Sequence, residues 1–297
     1  MRLGVGFWSG VNPDNIDGTL QRLARIGVKG LGHIAAHDWH PEQLQRCRDA
    51  VEAQGYFIGE VTLYHCGWPL ASPDSDIRRE ASESLSQGLR AARALNAHCV
   101  GVSVIANGPE EGDLWSDKVW HRLVQGIAQV ATEAENLGVD LGVHPGNRGP
   151  LDAPAQLRRL LDDVASPRLK VILDPVNMTT HRTYYNTTAF LDYTFDLLGP
   201  DIIAAHAKDV SLDTSHWVTK LDEVPLGMGQ LDYETYLRRL GELDEDVLLT
   251  IEHYRDVGVS GTVASPVYVN YPDTDWENTR ARNYIHELAQ KVGVEVH

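Results

Sequence analysis

Four polar residues stand at the ends of successive apolar runs in the second half of the chain. His144 closes LGVH, Asp174 closes VILD, His206 follows IIAA, and Glu252 follows LLTI. Imidazole nitrogens and carboxylate oxygens are the donors that divalent transition metals take. Two of each suit Mn2+, Co2+, Fe2+ or Zn2+ better than Ca2+, which prefers oxygen alone. A carboxylate at the end of an apolar run is also costly to bury unless it is paired or coordinated. One such residue is ordinarily a hydrogen-bonded structural group. Four on consecutive runs, in the order His, Asp, His, Glu, point to one shared divalent ion, with Mn2+ the expected one. Lys208 and Asp209 lie just beyond His206, and Asn177 lies in the turn after Asp174.

Residues this far apart in sequence meet only if the fold gathers the ends of its strands. Apolar runs predict strands over 3–7, 28–34, 57–63, 98–104, 140–143, 169–173, 202–207 and 247–252. The amphipathic stretches between and after them predict helices over 17–26, 41–54, 76–95, 115–137, 154–164, 189–198, 233–241 and 276–292. Strict alternation of eight strands with eight helices in 297 residues predicts an α/β fold, a closed (β/α)8 TIM barrel forming one domain over 1–297. An open doubly wound sheet would carry a glycine-rich phosphate loop after its first strand, and FWSGVNP holds no GxGxxG. Gly27, Gly55 and Gly138 mark helix ends. The least regular stretches, 105–114, 209–231 and 253–275, all follow strands, on the side where a barrel builds its active site. The last contains GVSGTV and PVYVNYP, apolar for a loop, and is expected to be a lid or a subunit contact of a homo-oligomer.

Acidic residues outnumber basic ones 42 to 26, and the formal net charge of −16 opposes nucleic acids and anionic membranes as partners. Hydrophobic residues at 42% and charged ones at 23% are those of a soluble globular protein. No apolar run approaches the roughly 18–20 residues of a membrane span, and MRLGVGFWSG lacks the apolar core of a secretory signal. Cys47, Cys66 and Cys99 are widely spaced without a CxxC pair, which argues against a disulfide framework and fits the cytoplasm.

LDPVN, HAKD (206–209), VPLGMGQLDY and IEH on this pattern resemble the xylose-isomerase-like sugar isomerase/epimerase superfamily, which also contains inosose dehydratase and a metal-dependent DNA-repair endonuclease. The resemblance spans nearly the whole chain. It implies a sugar-type substrate and one divalent metal held by Asp174, His206 and Glu252. The family's fourth ligand is usually a Glu ending strand five, and that position here is His144. In the epimerases of the family the two Glu residues exchange protons on opposite faces of the sugar. A metal-bound neutral imidazole keeps a hydrogen on its other nitrogen and has no lone pair for that task.

One-base chemistry is therefore expected: isomerisation of a non-phosphorylated sugar or keto-sugar through an enediolate, with Glu252 as base. The alternatives are a lyase that eliminates water or an aglycone from an oxo-sugar, and a sugar-binding protein that kept the metal site without catalysis. HPGNRGPLDAP (144–154) is similar to a segment of the inosose-dehydratase-like members and leans toward the lyase. The endonuclease reading is opposed by the net charge and by Asn177, where that relative has a His. The expected catalytic residues are Glu252, Lys208 and His144. Lys208 would hold a substrate oxygen, or else form a buried ion pair with Asp174 or Asp209. Trp8, His33, His65 and Arg182 are expected to bind substrate, with Phe7, Glu60 and His181 nearby.

Overall fold

The structure is a computed structural model and describes residues 1–7, 10–106, 113–215, 217–252 and 274–297. Eight parallel strands close into a barrel: β1 (Arg2–Gly6), β2 (Gly30–Ile34), β3 (Phe57–Thr62), β4 (Cys99–Ser103), β5 (Leu141–His144), β6 (Leu169–Leu173), β7 (Ile202–Ala207) and β10 (Leu248–Ile251). Closure comes from β1, which pairs with β2 on one side and with β10 on the other, Gly4 lying opposite Thr250. Around the barrel run α1 (Ile16–Ile26), α2 (Pro41–Ala53), α3 (Ser75–Leu95), α4 (Asp117–Leu137), α5 (Pro154–Val164), α7 (Thr187–Leu198), α8 (Tyr233–Gly241) and α9 (Asp275–Val292). A single turn, α6 (Pro175–Met178), follows β6. Among the described residues, no helix is long and apolar enough to cross a membrane.

The helix ends follow local chemistry. Asn15 and Asp74 accept backbone N–H groups at the starts of α1 and α3, while Gly27 and Gly138 end α1 and α4 in the left-handed conformation. The main core lies between the strands and the helices. A separate, smaller one fills the N-terminal end of the barrel's interior with Cys99, Ile172, Ala204 and Leu248. Side chains alternate across a strand, so the next inward positions after Ile172 and Ala204 are Asp174 and His206, and Leu248 is followed by Thr250 and then Glu252. The same periodicity that packs the floor of the barrel thus stacks the four-donor site above it.

One expectation is corrected. The 209–231 stretch is not irregular throughout, because it contains an antiparallel hairpin of β8 (Asp209–Leu212) and β9 (Leu221–Val224). Each strand has only four residues and a weak apolar alternation, too little to read as a strand. The 253–275 segment, with its expected lid or subunit contact, lies almost wholly outside the described residues.

Candidate metal centre

β5, β6, β7 and β10 deliver His144, Asp174, His206 and Glu252 to one place, all buried, with one donor atom from each lying within 4.8 Å of the others. His144 Nε2 is 3.2 Å from Asp174 Oδ2. His206 Nδ1 is 3.1 Å from His144 Nε2 and 3.0 Å from Glu252 Oε2. A tetrahedral shell with bonds of about 2.1 Å has edges of roughly 3.4 Å, so these separations suit four ligands of one ion. Two imidazole nitrogens facing each other between two carboxylates are poorly satisfied by protons alone, and the N2O2 set suits a divalent transition metal. The residues present therefore fit the group.

Each donor is aimed by its other atoms. Asp174 caps α6, its Oδ1 accepting the Asn177 backbone N–H at 3.1 Å, which turns Oδ2 toward the cluster. His144 Nδ1 lies 3.3 Å from Ser103 Oγ, which engages its second nitrogen. On the far side of the His206 ring, Nε2 is 3.1 Å from Glu60 Oε1, and Tyr64 donates its O–H to Glu60 Oε2 at 2.7 Å. The Tyr64 ring stacks on His144 with centroids 5.0 Å apart.

Lys208 Nζ lies 2.9 Å from Asp174, 3.1 Å from Glu252 and 3.4 Å from Glu223 on β9, so three carboxylates meet its three N–H groups. Asp209 is not its partner. The Asp209 carboxylate instead accepts four backbone N–H groups, those of Val210, Gly227, Gly229 and Leu231. A Cβ at Gly229 would sit 2.3 Å from Asp209 Oδ1, so only glycine permits this approach. Two residues of α8 finish the support: Tyr233 donates to the Lys208 carbonyl at 2.5 Å and Tyr236 to the His206 carbonyl at 3.0 Å. HAKD and PLGMGQLDY are thus two halves of one clamp on the end of β7.

In the metal-free chain, burial drives the pKa of His206 down, but the Glu252 and Glu60 carboxylates outweigh it and hold the ring well above the ordinary histidine value. Burial pushes Asp174, Glu252 and Glu60 up. Lys208 beside Asp174, and His206 beside Glu252 and Glu60, more than reverse this, so all three carboxyls lie below their usual range. Burial keeps His144 and His33 below the ordinary value.

Of the remaining expected site residues, His33 and Glu60 join the cluster and the others do not. His33 is buried at the cluster, its Nε2 3.4 Å from His206 Nε2. His65 is exposed and its ring neighbours that of His37, 6.0 Å away. Arg182 and His181 are exposed in the turn after α6, where the Arg182 N–H meets Thr180 Oγ1. Phe7 is buried, with the Arg22 guanidinium over its ring at 4.0 Å. Trp8 lies outside the described residues. Tyr64, Ser103 and Glu223 were not anticipated; Tyr64 follows Glu60 by one helical turn's worth of residues just past a strand, the one signal that could have marked it.

The cluster lies at the C-terminal ends of the strands of a closed barrel, the face on which barrels of this kind build their active sites. Residues 20–288 match the family model described as xylose isomerase-like TIM barrel, and the chain belongs to that family, the sugar isomerase/epimerase superfamily. It is 25% identical over 236 residues to SgbU of Escherichia coli (strain K12), whose name assigns it provisionally as an L-ribulose-5-phosphate 3-epimerase; the match covers 77% of this chain and 74% of that one. Among solved structures, D-psicose 3-epimerase of Clostridium cellulolyticum H10 with D-tagatose superposes with a TM-score of 0.75 at 18% identity, over 97% of this chain and 99% of that one. A xylose isomerase-like TIM barrel protein of Mycobacterium smegmatis in complex with magnesium gives 0.70 at 13% identity, over 98% and 97%. At such identities the two structures establish the fold.

Proposed function

We propose that the protein is a divalent-metal-dependent isomerase of a non-phosphorylated sugar or keto-sugar, working through an enediolate with Glu252 as the base. The observation that carries this reading is the division of Glu252. Its Oε2 faces His206 and Lys208, while its Oε1 hydrogen-bonds no described residue and is left for a substrate proton. A divalent ion held by His144, Asp174, His206 and Glu252, with Mn2+ our choice, supplies Lewis acidity to a carbonyl and its neighbouring hydroxyl. Glu252 Oε1 takes the proton from the carbon beside the carbonyl and returns it to the former carbonyl carbon, while the hydroxyl proton passes to the former carbonyl oxygen and leaves the new carbonyl behind. Lys208 acts as a positioning residue, its ammonium holding Asp174 Oδ2 and Glu252 Oε2 together. His144 is a ligand without a spare lone pair, so exchange of protons with a second base at the end of β5 is not available. Among the described residues Lys208 is the only buried Lys or Arg, and three carboxylates already engage it, which favours a substrate without phosphate.

The same single-base step opens an elimination of water or an aglycone from an oxo-sugar, and the replacement of a second carboxylate by His144 favours either route over epimerisation. The test is turnover of aldoses, ketoses and oxo-sugars in D2O, abolished by EDTA and restored by Mn2+. Solvent deuterium in an isomeric product with an intact skeleton supports isomerisation, and loss of water or aglycone supports the lyase. Sugar binding without turnover leaves a binding protein. Glu252→Gln is expected to keep the ion and lose about 10²- to 10⁴-fold in turnover; near-normal turnover removes Glu252 as base.

A further inference from the structure

We propose that Glu60 is a positioning residue for the metal centre: it grips the far nitrogen of His206 and holds that ring in the tautomer and orientation that present Nδ1 to the ion. This rests on the reading of His144, Asp174, His206 and Glu252 as metal ligands. Glu60 comes from β3, outside the four strands that supply those ligands, and is fully buried. A buried carboxylate needs partners for both oxygens, and here Oε1 meets His206 Nε2 at 3.1 Å while Oε2 accepts the Tyr64 O–H at 2.7 Å.

One assignment of protons satisfies the whole group. His206 Nε2–H donates to Glu60, Tyr64 O–H donates to Glu60, and His33 Nε2–H donates to the Tyr64 oxygen at 3.3 Å. In that assignment His206 Nδ1 is the nitrogen left for coordination. The space for this network comes from Gly101 on β4, where a Cβ would lie 2.9 Å from both Glu60 Oε2 and Tyr64 Cε1.

His33, Glu60 and His206 also bring donors close enough to be weighed as a second metal site. Charge decides against it. The buried carboxylates Asp174, Glu252 and Glu60 are balanced by the Lys208 ammonium and a single divalent ion, with the histidines neutral. A second ion would require His206 to bridge the two metals with both ring protons lost, and even with that imidazolate the cluster would be left one charge positive. A carboxylate on the outer nitrogen of a metal-bound imidazole instead fixes its orientation and raises its basicity, and removing such a partner typically costs ten- to a hundredfold in metal affinity.

The experiment is Mn2+ titration of the full chain, followed by electron paramagnetic resonance, with Co2+ absorption as a second readout and far-UV circular dichroism of the metal-free proteins as the folding control. Wild type is expected to bind one ion per chain. Glu60→Gln is expected to bind one ion about 10- to 100-fold more weakly and to alter the Co2+ ligand-field bands, with Glu60→Asp recovering part of the affinity. An unchanged Kd and Co2+ spectrum in Glu60→Gln overturn the proposal. So do two ions in wild type with one of them lost in Glu60→Gln, because Glu60 is then itself a ligand. Should Glu60→Gln not fold, Glu60→Asp and Tyr64→Phe carry the test: each is expected to weaken binding severalfold, and no change in either overturns the proposal. Wild type that binds no Mn2+, Co2+ or Zn2+ overturns the metal reading along with it, whereas wild-type binding with an unaffected Glu60→Gln overturns this inference alone.

Discussion

The two ends of the barrel's interior differ sharply although the same strands build both. At the N-terminal end, Cys99, Ile172, Ala204 and Leu248 make an apolar floor of uncharged side chains. Two to four residues further along, the same strands and their neighbours bury three carboxylates, three histidines and a lysine in contact with one another. The floor is stable by ordinary burial and close packing. The upper layer persists because each charge faces an opposite one, and removing any single member leaves the rest uncompensated. The lesson is that stability is local and replaceable at the floor but collective at the site.

The comparison can be broken most severely at Asp174. Asp174→Ala strips a ligand and leaves Lys208 without its nearest carboxylate. It is expected to abolish tight metal binding and to cost about 3–5 kcal/mol in the metal-free protein, read by Mn2+ titration and urea denaturation. Full-strength Mn2+ binding by this variant would mean that the donors do not share an ion. At the floor, Leu248→Ala is expected to cost roughly 2–5 kcal/mol while metal stoichiometry and affinity stay as in wild type. A large change in metal affinity would show that the two layers are coupled.

The smallest effect separates the layers by pH. Asp174, Glu252 and Glu60 have depressed folded pKa values, so their contribution is in place above roughly pH 4 and is lost as the pH falls through those values. His206 is raised, so its contribution is complete below roughly pH 6.5 and is lost as the pH rises through its folded value. The metal-free protein is expected to be most stable between about pH 5 and 7, with its thermal midpoint falling on both sides. Saturating Mn2+ should flatten the alkaline side, because the ion takes the place of the proton on Nδ1. A midpoint in EDTA that is level from pH 4 to 9 would show that these groups carry no net stability.

Much of this was legible in residue order. The alternation of short apolar runs with amphipathic stretches read as a closed barrel, and its strand boundaries fell within a residue or two of those observed. His144, Asp174, His206 and Glu252 could be picked out because a donor ending an apolar run must sit at the rim of the sheet. Glu60 was visible as a polar residue in a strand, but its partner was not, since 146 positions separate it from His206. Tyr64 was marked only by its spacing of four from Glu60, and the hairpin of β8 and β9 not at all, because its strands of four residues are too short for a pattern.

Covalent order alone thus determined the periodicity, the sign of the net charge and the kinds of donor available, because each is a property of neighbouring residues or of simple composition. Tertiary structure decided which imidazole nitrogen faces the cluster, that Asp209 holds a loop while Lys208 holds the carboxylates, and which oxygen of Glu252 has no hydrogen-bond partner among the described residues. Those choices depend on the register in which β1 closes against β10 and on hydrogen bonds a few ångströms long between residues mostly 18 to 146 positions apart, and no local pattern encodes such pairings.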